Sequence, residues 1–362
     1  MEISKIVITG GPCAGKTTAM SWIQNAFTQK GYTVLFIGET ATEFIRGGVA
    51  PWTCGTNVEY QKCQMKLQIE KEKLFEQAAK TMKSEKILMV CDRGALDNRA
   101  YMTDEEFAEV LRYVGSNEIE LRDSYDAVFH LVSAAKGAEQ FYTTANNEAR
   151  TETVEQAREL DDKLINAWTG HPHFRIINNE TDFAEKMRRL LVEISQVLGE
   201  PAPYLTKRKF LIDYPNIAEL RAMPNCERVD IIQTYLKSPS GKEIRIRQRG
   251  KDGHYIYFQK MERDPSGKEK IEIERRLDKD EYLKMLMDAD TSMKQIRKTR
   301  YCLAYGIQYA EVDVFPFWTD KAILSVAIRD ENDPIVIPEN FNVIKEITGN
   351  PEYRNIAMAA RI

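Results

Sequence analysis

Gly10-Gly11-Pro12-Cys13-Ala14-Gly15-Lys16-Thr17-Thr18 stands between a β-branched run, Lys5 to Thr9, and a helical stretch spanning 16–30. Few arrangements of strand, loop and helix tolerate such a spacing. The glycines allow the loop to turn its N–H groups inward, and the helix start adds partial positive charge, so the whole suits a phosphate chain. The octapeptide fits G-x-x-x-x-G-K-[ST] in its proper context. Lys16 can then reach β- and γ-oxygens, and Thr17 can ligate Mg²⁺. Such a loop requires a parallel sheet, and the neighbouring pattern supplies one. Apolar strands at 34–38, 87–91, 126–132 and 174–177 alternate with helices at 57–83, 152–168 and 181–198.

Asp92-Arg93-Gly94 closes the third strand. A carboxylate there points into the crevice at the carboxyl ends of the strands, where Asp92 can hold Mg²⁺ through water or accept a proton. Glu39 and Arg93 join the candidate nucleotide site. Arg150 and Arg158 are candidate lid arginines for charge on a γ-phosphate, against a plain reading as solvated helix charge. His171 and His173 read as surface histidines of a turn.

After Leu198-Gly-Glu-Pro-Ala-Pro-Tyr204 the pattern changes, so 1–198, a linker 199–204 and 205–362 are the expected divisions. Strands near 207–214, 227–237, 243–250, 254–262, 269–276, 294–303, 307–315 and 322–330 follow one another with tight turns and short helices near 215–222 and 279–288. About eight antiparallel strands predict a closed barrel. Side chains two apart share a strand face, so Arg245, Arg247 and Arg249 point one way. Lys298 and Arg300 repeat the spacing, as do Glu272 and Glu274, and Glu311 and Asp313, with opposite sign. The pattern predicts an inward polar lining that also takes in Lys207, Lys209 and Lys260.

Charge supports two units. Residues 204–362 carry net +3 and the preceding 203 carry −7, an imbalance that favours anionic ligands in the second unit but is too small to argue for nucleic acid. No apolar run approaches the ~20 residues of a membrane span. The start, Met1-Glu2-Ile3-Ser4-Lys5, runs straight into a strand, so no signal peptide is expected. The six scattered cysteines then read as reduced thiols in a cytoplasmic protein.

Gly-Gly-Pro-x-x-Gly-Lys-Thr-Thr, Glu39-Thr-Ala, Asp92-Arg-Gly-x-x-Asp-x-x-Ala-Tyr101 and Trp168-x-x-His-Pro together resemble the AAA-type P-loop domain related to ribosylnicotinamide kinases and nucleotide kinases, over about 1–198. That resemblance implies Lys16, Thr17 and Asp92 as NTP–Mg²⁺ residues. The base, GTP or ATP, is left open because no N-K-x-D is present. Lys209-Phe-Leu, Arg245-x-Arg-x-Arg-Gly, Lys298-x-Arg-Tyr and Glu311-x-Asp-Val-Phe315 resemble the CYTH, or triphosphate tunnel, family over about 204–345. Its opening Glu-x-Glu-x-Lys is replaced here by Leu205-Thr-Lys-Arg-Lys209, which keeps the lysine and loses both glutamates. A lysine repels the metal that hydrolysis needs while still attracting the anion. The barrel is therefore expected to bind a phosphoinositide, inositol phosphate, polyphosphate or nucleotide without cleaving it. The fusion resembles the TRPL translocation defect protein family, which implies GTP binding, phosphoinositide binding, peripheral membrane contact and a trafficking role. A small-molecule kinase and a tunnel triphosphatase remain alternatives.

Overall fold

The computed structural model describes residues 2–142, 153–199, 207–238, 243–263, 271–306, 308–328 and 334–361. The chain divides into two compact units, Met1–Leu198 and Gly199–Ile362.

In the first unit β1 (Glu2–Thr9), α1 (Lys16–Gln29), β2 (Thr33–Ile37), α2 (Thr40–Arg46), α3 (Asn57–Ala79), β3 (Lys86–Asp92), α4 (Asp104–Val114), α5 (Glu118–Arg122), β4 (Ala127–Leu131), α6 (Val154–Trp168), β5 (Phe174–Ile177) and α7 (Phe183–Val197) follow in order. The five strands form one parallel sheet in the order β2-β3-β1-β4-β5. Ile6, Val7, Ile8, Leu88, Met89, Val90, Ala127, Val128 and Phe129 are all fully buried, as expected of strands covered on both faces. One such layer packs Ile6, Ile8, Leu88, Val90 and Phe129 against Ala19, Ile23 and Phe27 of α1 and Met187, Leu190 and Ile194 of α7. From central β1 the chain runs by α1 to the edge strand β2, returns to β3 beside β1 and then crosses to β4 on the other side, so the connections after β1 and β3 diverge and the loop after β1 sits at the switch point that favours a ligand.

The second unit holds β6 (Lys207–Asp213), α8 (Ile217–Ala222), β7 (Cys226–Tyr235), β8 (Ile244–Lys251), β9 (His254–Arg263), β10 (Ile271–Leu277), α9 (Lys279–Leu286), β11 (Ile296–Tyr305), β12 (Gln308–Val314), β13 (Lys321–Ala327), β14 (Val343–Glu346) and α10 (Asn355–Ala359). All pairings are antiparallel, in the order β10-β9-β8-β7-β11-β12-β13-β6-β14. The expected run of eight strands has a ninth, β14, which pairs with β6 across a register shift. Its four residues are all exposed, so no alternation marks it in the sequence. Among the described residues each edge strand, β10 and β14, pairs with one neighbour.

One face of this sheet is apolar. Phe210, Ile212, Tyr301, Leu303, Val312, Val314, Leu324 and Val326 bury against Leu220 of α8 and Phe341. The opposite face is polar in its middle and apolar at one end. There Leu211, Tyr235, Ile296, Phe315 and Ile323 pack against Ile347, Met358 and Ala359, with Tyr353 and Ile356 beside them. The C-terminal segment with α10 thus covers one end of the polar face, held by Arg354 to Glu243 (3.2 Å) and Asn355 to Gln233 (3.4 Å). Among the described residues, no helix is long and apolar enough to cross a membrane.

Candidate functional site

The loop between β1 and α1 is shaped from inside and anchored from outside. Gly10 has φ +143°, and a Cβ there would meet the Leu131 carbonyl oxygen at 2.1 Å, so only glycine fits. Cys13 takes the left-handed conformation with φ 57°. α1 begins at Lys16 with no side-chain cap, which leaves its first N–H groups available. Thr17 and Thr18 are exposed on that first turn. The Lys16 ammonium donates to the carbonyls of Gly10 (2.9 Å) and Gly11 (3.3 Å). Burial and the nearby Arg93 push it down to about 8, against the pull of Asp92 and Glu39.

Four contacts from other elements hold the loop. Asp161 of α6 accepts from Gly11 N at 3.0 Å, and the Ser133 hydroxyl donates to the Pro12 carbonyl at 2.5 Å. Lys186 of α7 donates to the Ala14 carbonyl at 3.1 Å, and to Val132 O and Asn179 Oδ1 at 2.8 and 2.7 Å. Phe183 lies against Gly15. Asp161 Oδ1 also receives Ser133 N (3.1 Å) and meets His130 Nε2 (3.0 Å), while Lys136 reaches Oδ2 at 3.2 Å. Burial opposes its charge, but His130, Lys136 and the Gly11 N–H hold the carboxyl well below the usual range. Burial lowers Lys186 to about 7.

On the other flank, Asp92 ends β3 level with Ile8 of β1. Its Oδ1 is buried and has no hydrogen-bond partner among the described residues. Burial raises its pKa, against the attraction of Lys16. Arg93, at φ 68°, turns its side chain to Glu39, with Asp97 at 3.4 Å. Burial disfavours the Glu39 anion, yet Arg93 and Lys16 bring it down to about 2. Asp97 is fixed by Thr9, Gly94 N (2.8 Å) and Trp168 Nε1 (3.2 Å). A partnerless buried carboxylate oxygen beside a phosphate loop and an exposed threonine hydroxyl fits a Mg²⁺ site built from Asp92 and Thr17.

Arg158 donates to the Ala135 carbonyl (2.6 Å) and to Glu139 (2.8 Å), on the segment that also supplies Ser133 to the loop. Arg150 lies outside the described residues. His171 departs from the surface-turn expectation. It is fully buried, with Nε2 at 3.0 Å from Tyr125 O and Nδ1 accepting from His173 N.

In the second unit, register places Lys209, Ser325, Glu311, Cys302 and Glu227 on one face, and Arg300 with Asp313 on the same face. Lys207, Lys298, Arg245, Arg247, Arg249 and Lys260 share it. Arg249, Lys298, Glu311 and Asp313 are exposed by only 2, 7, 3 and 5%. Asp313 binds Lys298 at 2.6 Å and Arg300 at 2.7 and 2.8 Å. Glu311 binds Arg300 and Lys207, both at 2.8 Å, and Arg247 pairs with Glu274 at 3.0 Å. Arg245 pairs with Glu243. Burial works against both Asp313 and Glu311, but Arg300 and its neighbours depress both, Glu311 to about 2. Burial lowers Lys298 to about 8. Among the described residues no group of three histidines, cysteines or acids is placed to hold a metal.

A strand, glycine loop and helix at the switch point of a parallel sheet define the first unit as a P-loop nucleotide-binding domain. The family model described as AAA domain matches residues 5–186, and the chain belongs to that family. No curated protein matches. Solved structures similar to this chain include one described as the hypothetical protein NE1496, with 26% identity and TM-score 0.32, covering 44% of this chain and 99% of its own. Another, described as the inorganic triphosphatase NE1496, has 27% identity and TM-score 0.31, covering 43% and 98%. PH1819 from Pyrococcus horikoshii OT3 has 19% identity and TM-score 0.27, covering 35% and 80%.

Sequence reading missed Asp161, His130, Ser133 and Lys186. Asp161 resembles solvated helix charge in Glu159-Leu-Asp-Asp162. Its position in the buried series Ala157, Asp161, Leu164, Ile165, Trp168 is the signal that marks it as inward-facing.

Proposed function

We infer that the first unit binds a magnesium nucleoside triphosphate and slowly hydrolyses it, while the second binds a phosphorylated anion without turning it over. The observation that carries this reading is the buried, partnerless Asp92 oxygen next to a Lys16 already inside the phosphate loop. Thr17 and Asp92 would hold Mg²⁺, which offsets charge on the β- and γ-phosphates. Lys16 and the free N–H groups of α1 bind the phosphates, and Glu39 keeps the Arg93 guanidinium turned toward the crevice.

The polar face of the second unit supports an anion receptor. Arg249 and Lys298 are buried and its other cations are half-buried, and the acids on β12 are already engaged by Lys298, Arg300 and Lys207. A phosphoinositide headgroup, an inositol phosphate and polyphosphate share the chemistry such a face recognises. The resemblance to the TRPL translocation defect family favours the lipid headgroup. Phosphate release from ATP and GTP tests the first half of the reading, with loss expected in Lys16→Ala and Asp92→Asn. Titration with inositol phosphates, tripolyphosphate and phosphoinositide vesicles tests the second half. Metal-dependent cleavage of tripolyphosphate surviving Lys16→Ala would refute it.

A specific observation favours phosphoryl transfer to a small molecule as a second reading. Tyr60 OH, Gln61 Oε1 and Gln64 Oε1 are buried without hydrogen-bond partners among the described residues. They lie on α3 between Asn57, which binds Tyr101 O, and Gln68, which binds Arg93 O. Phosphate appearing on an added small molecule, rather than as free phosphate, would decide for this reading.

A further inference from the structure

Phosphates seated in the β1–α1 loop leave the rest of a nucleotide two ways to extend. Toward β3 it meets Asp92, Arg93 and Glu39, a buried and charged flank. Toward β5 it meets the segment 178–183 and the start of α7. That segment belongs to the same rigid assembly as the loop. Lys186 ties Ala14 O to Asn179 Oδ1, and Asn179 Nδ2 reaches Ser133 O and Lys136 O, both at 2.8 Å.

Phe183 is the first residue of α7 and is 46% exposed. A Cβ added to Gly15, which has φ +92°, would stand 2.6 Å from the Phe183 ring. The ring therefore lies directly on the loop, and glycine is what admits it. An apolar ring held half in water beside an anion cradle, instead of buried in the nearby core of Met187 and Leu190, is a platform with one open face. Aromatic faces stack any planar base, because every base has a π-face.

The polar side chains around the ring are engaged elsewhere. Asn178 Oδ1 accepts from Arg189 at 2.7 Å, and Asn179 is bound through both its oxygen and its nitrogen. Thr181 Oγ1 accepts from Arg189 at 3.0 Å, and Asp182 caps α7 by accepting from Glu185 N at 2.9 Å. Discrimination between bases needs donors and acceptors dedicated to the base edge. These four side chains serve the loop, α7 and its cap instead, and Glu180 between them is engaged as well.

We propose that Phe183 is the stacking platform for the nucleotide base and that the site is base-tolerant, taking ATP and GTP alike. This rests on the reading that the first unit binds a nucleoside triphosphate. Calorimetric titration of the full chain with ATP, GTP and inorganic tripolyphosphate tests it, using Phe183→Ala, Phe183→Leu and Lys16→Ala. Phe183→Leu retains an apolar contact on Gly15 without a ring, and a thermal melt checks that each variant is folded.

ATP and GTP are expected to bind within about threefold of each other. Both should weaken by about tenfold in Phe183→Ala and Phe183→Leu, a loss of ~1.4 kcal/mol. The Lys16-dependent binding of tripolyphosphate, which has no base, should be unchanged. A preference above about thirtyfold for one nucleotide would overturn the proposal, and if GTP were the one preferred it would point to Glu180 as the reader of the base. Equal weakening of tripolyphosphate would overturn it too, since Phe183 would then act only by shaping the loop. Unchanged nucleotide binding in both Phe183 variants, with binding lost in Lys16→Ala, would overturn the platform alone. Nucleotide binding that survives Lys16→Ala would overturn the nucleotide-site reading and this one with it.

Discussion

Asp161→Asn isolates the electrostatic part of how the phosphate loop is held. The carboxylate oxygen Oδ1 accepts backbone N–H groups from Gly11 and Ser133 at 3.0 and 3.1 Å. An amide of the same shape can still accept both, but as a neutral group. A hydrogen bond to a charged partner contributes ~1.5–3 kcal/mol and a neutral one ~0.5–1.5 kcal/mol. The exchange therefore costs about 1 kcal/mol for each bond, or about 2 kcal/mol for the backbone pair, a minimum to which the His130 contact on the same oxygen (3.0 Å) adds. Lys136 adds little, because it is partly exposed and already bonded to Asp162 at 2.7 Å. For a unit of this size 1 kcal/mol lowers the melting temperature by ~2–4 °C, so a fall of about 4–8 °C is expected. If nucleotide binding must restore the loosened loop, the same ~2 kcal/mol appears as up to ~30-fold weaker binding. Calorimetric melting and nucleotide titration measure the two effects. Asp161 is held well below the usual carboxylate range, so its contribution is present above the unfolded pKa of ~3.9 and lost as pH falls through the lower folded value. The gap between wild type and variant should therefore be flat from about pH 8 to 5 and narrow only below about pH 4. An unchanged melting temperature together with unchanged affinity would refute the claim that Asp161 anchors the loop.

Three further outcomes are expected. Because burial lowers Lys16 to about 8 in the empty loop, nucleotide affinity should fall as pH rises past 8, by at most about tenfold per pH unit, in binding titrations from pH 7 to 9.5. Asp92→Asn removes a buried carboxylate that has no hydrogen-bond partner for one oxygen. It should leave the unliganded melting temperature unchanged or about 2 °C higher while cutting phosphate release by ~100-fold or more. Asp313→Asn strands the buried Lys298 and leaves Arg300 with Glu311 alone, and should destabilise the second unit by ~3–5 kcal/mol, read as a lowered melting transition that nucleotide does not restore.

The parallel sheet was legible because each strand is a short apolar run closed by a glycine, an aspartate or a helix cap, and those local signals agree with the packing. Asp92 was legible for the same reason, as a charge that ends an apolar strand. The polar face of the second sheet could be read from alternation alone, since period two places Arg245, Arg247 and Arg249 together whatever the partner strands are. What escaped was non-local. Asp161 and Lys186 meet the loop from residues ~150 and ~170 positions away, and each looks locally like ordinary helix charge. The covering of one end by α10 rests on Ile356, Met358 and Ala359, a few apolar contacts in a weakly patterned tail. β14 carries no alternation because none of its side chains is buried.

The pairing within the second sheet also bears on the proposal that it receives an anion. Asp313 and Glu311 look like metal ligands in sequence, a carboxylate pair two residues apart on one strand face. In the structure Arg300 bridges them, Lys207 takes the other Glu311 oxygen, and Lys298 shares Asp313 Oδ2 with Arg300. A divalent ion would have to displace three cations from a buried setting, where the cost of leaving an ammonium or guanidinium uncompensated is several kcal/mol. An incoming phosphate faces the opposite balance. It can share the cations without removing them from their acids, since guanidinium has five donors and ammonium three. Lys209 strengthens the point. Burial lowers its pKa, with Arg300 adding to the effect against the attraction of Asp313 and Glu311. A bound anion would raise it again, so proton uptake should accompany anion binding, whereas metal binding would release protons or leave them unmoved.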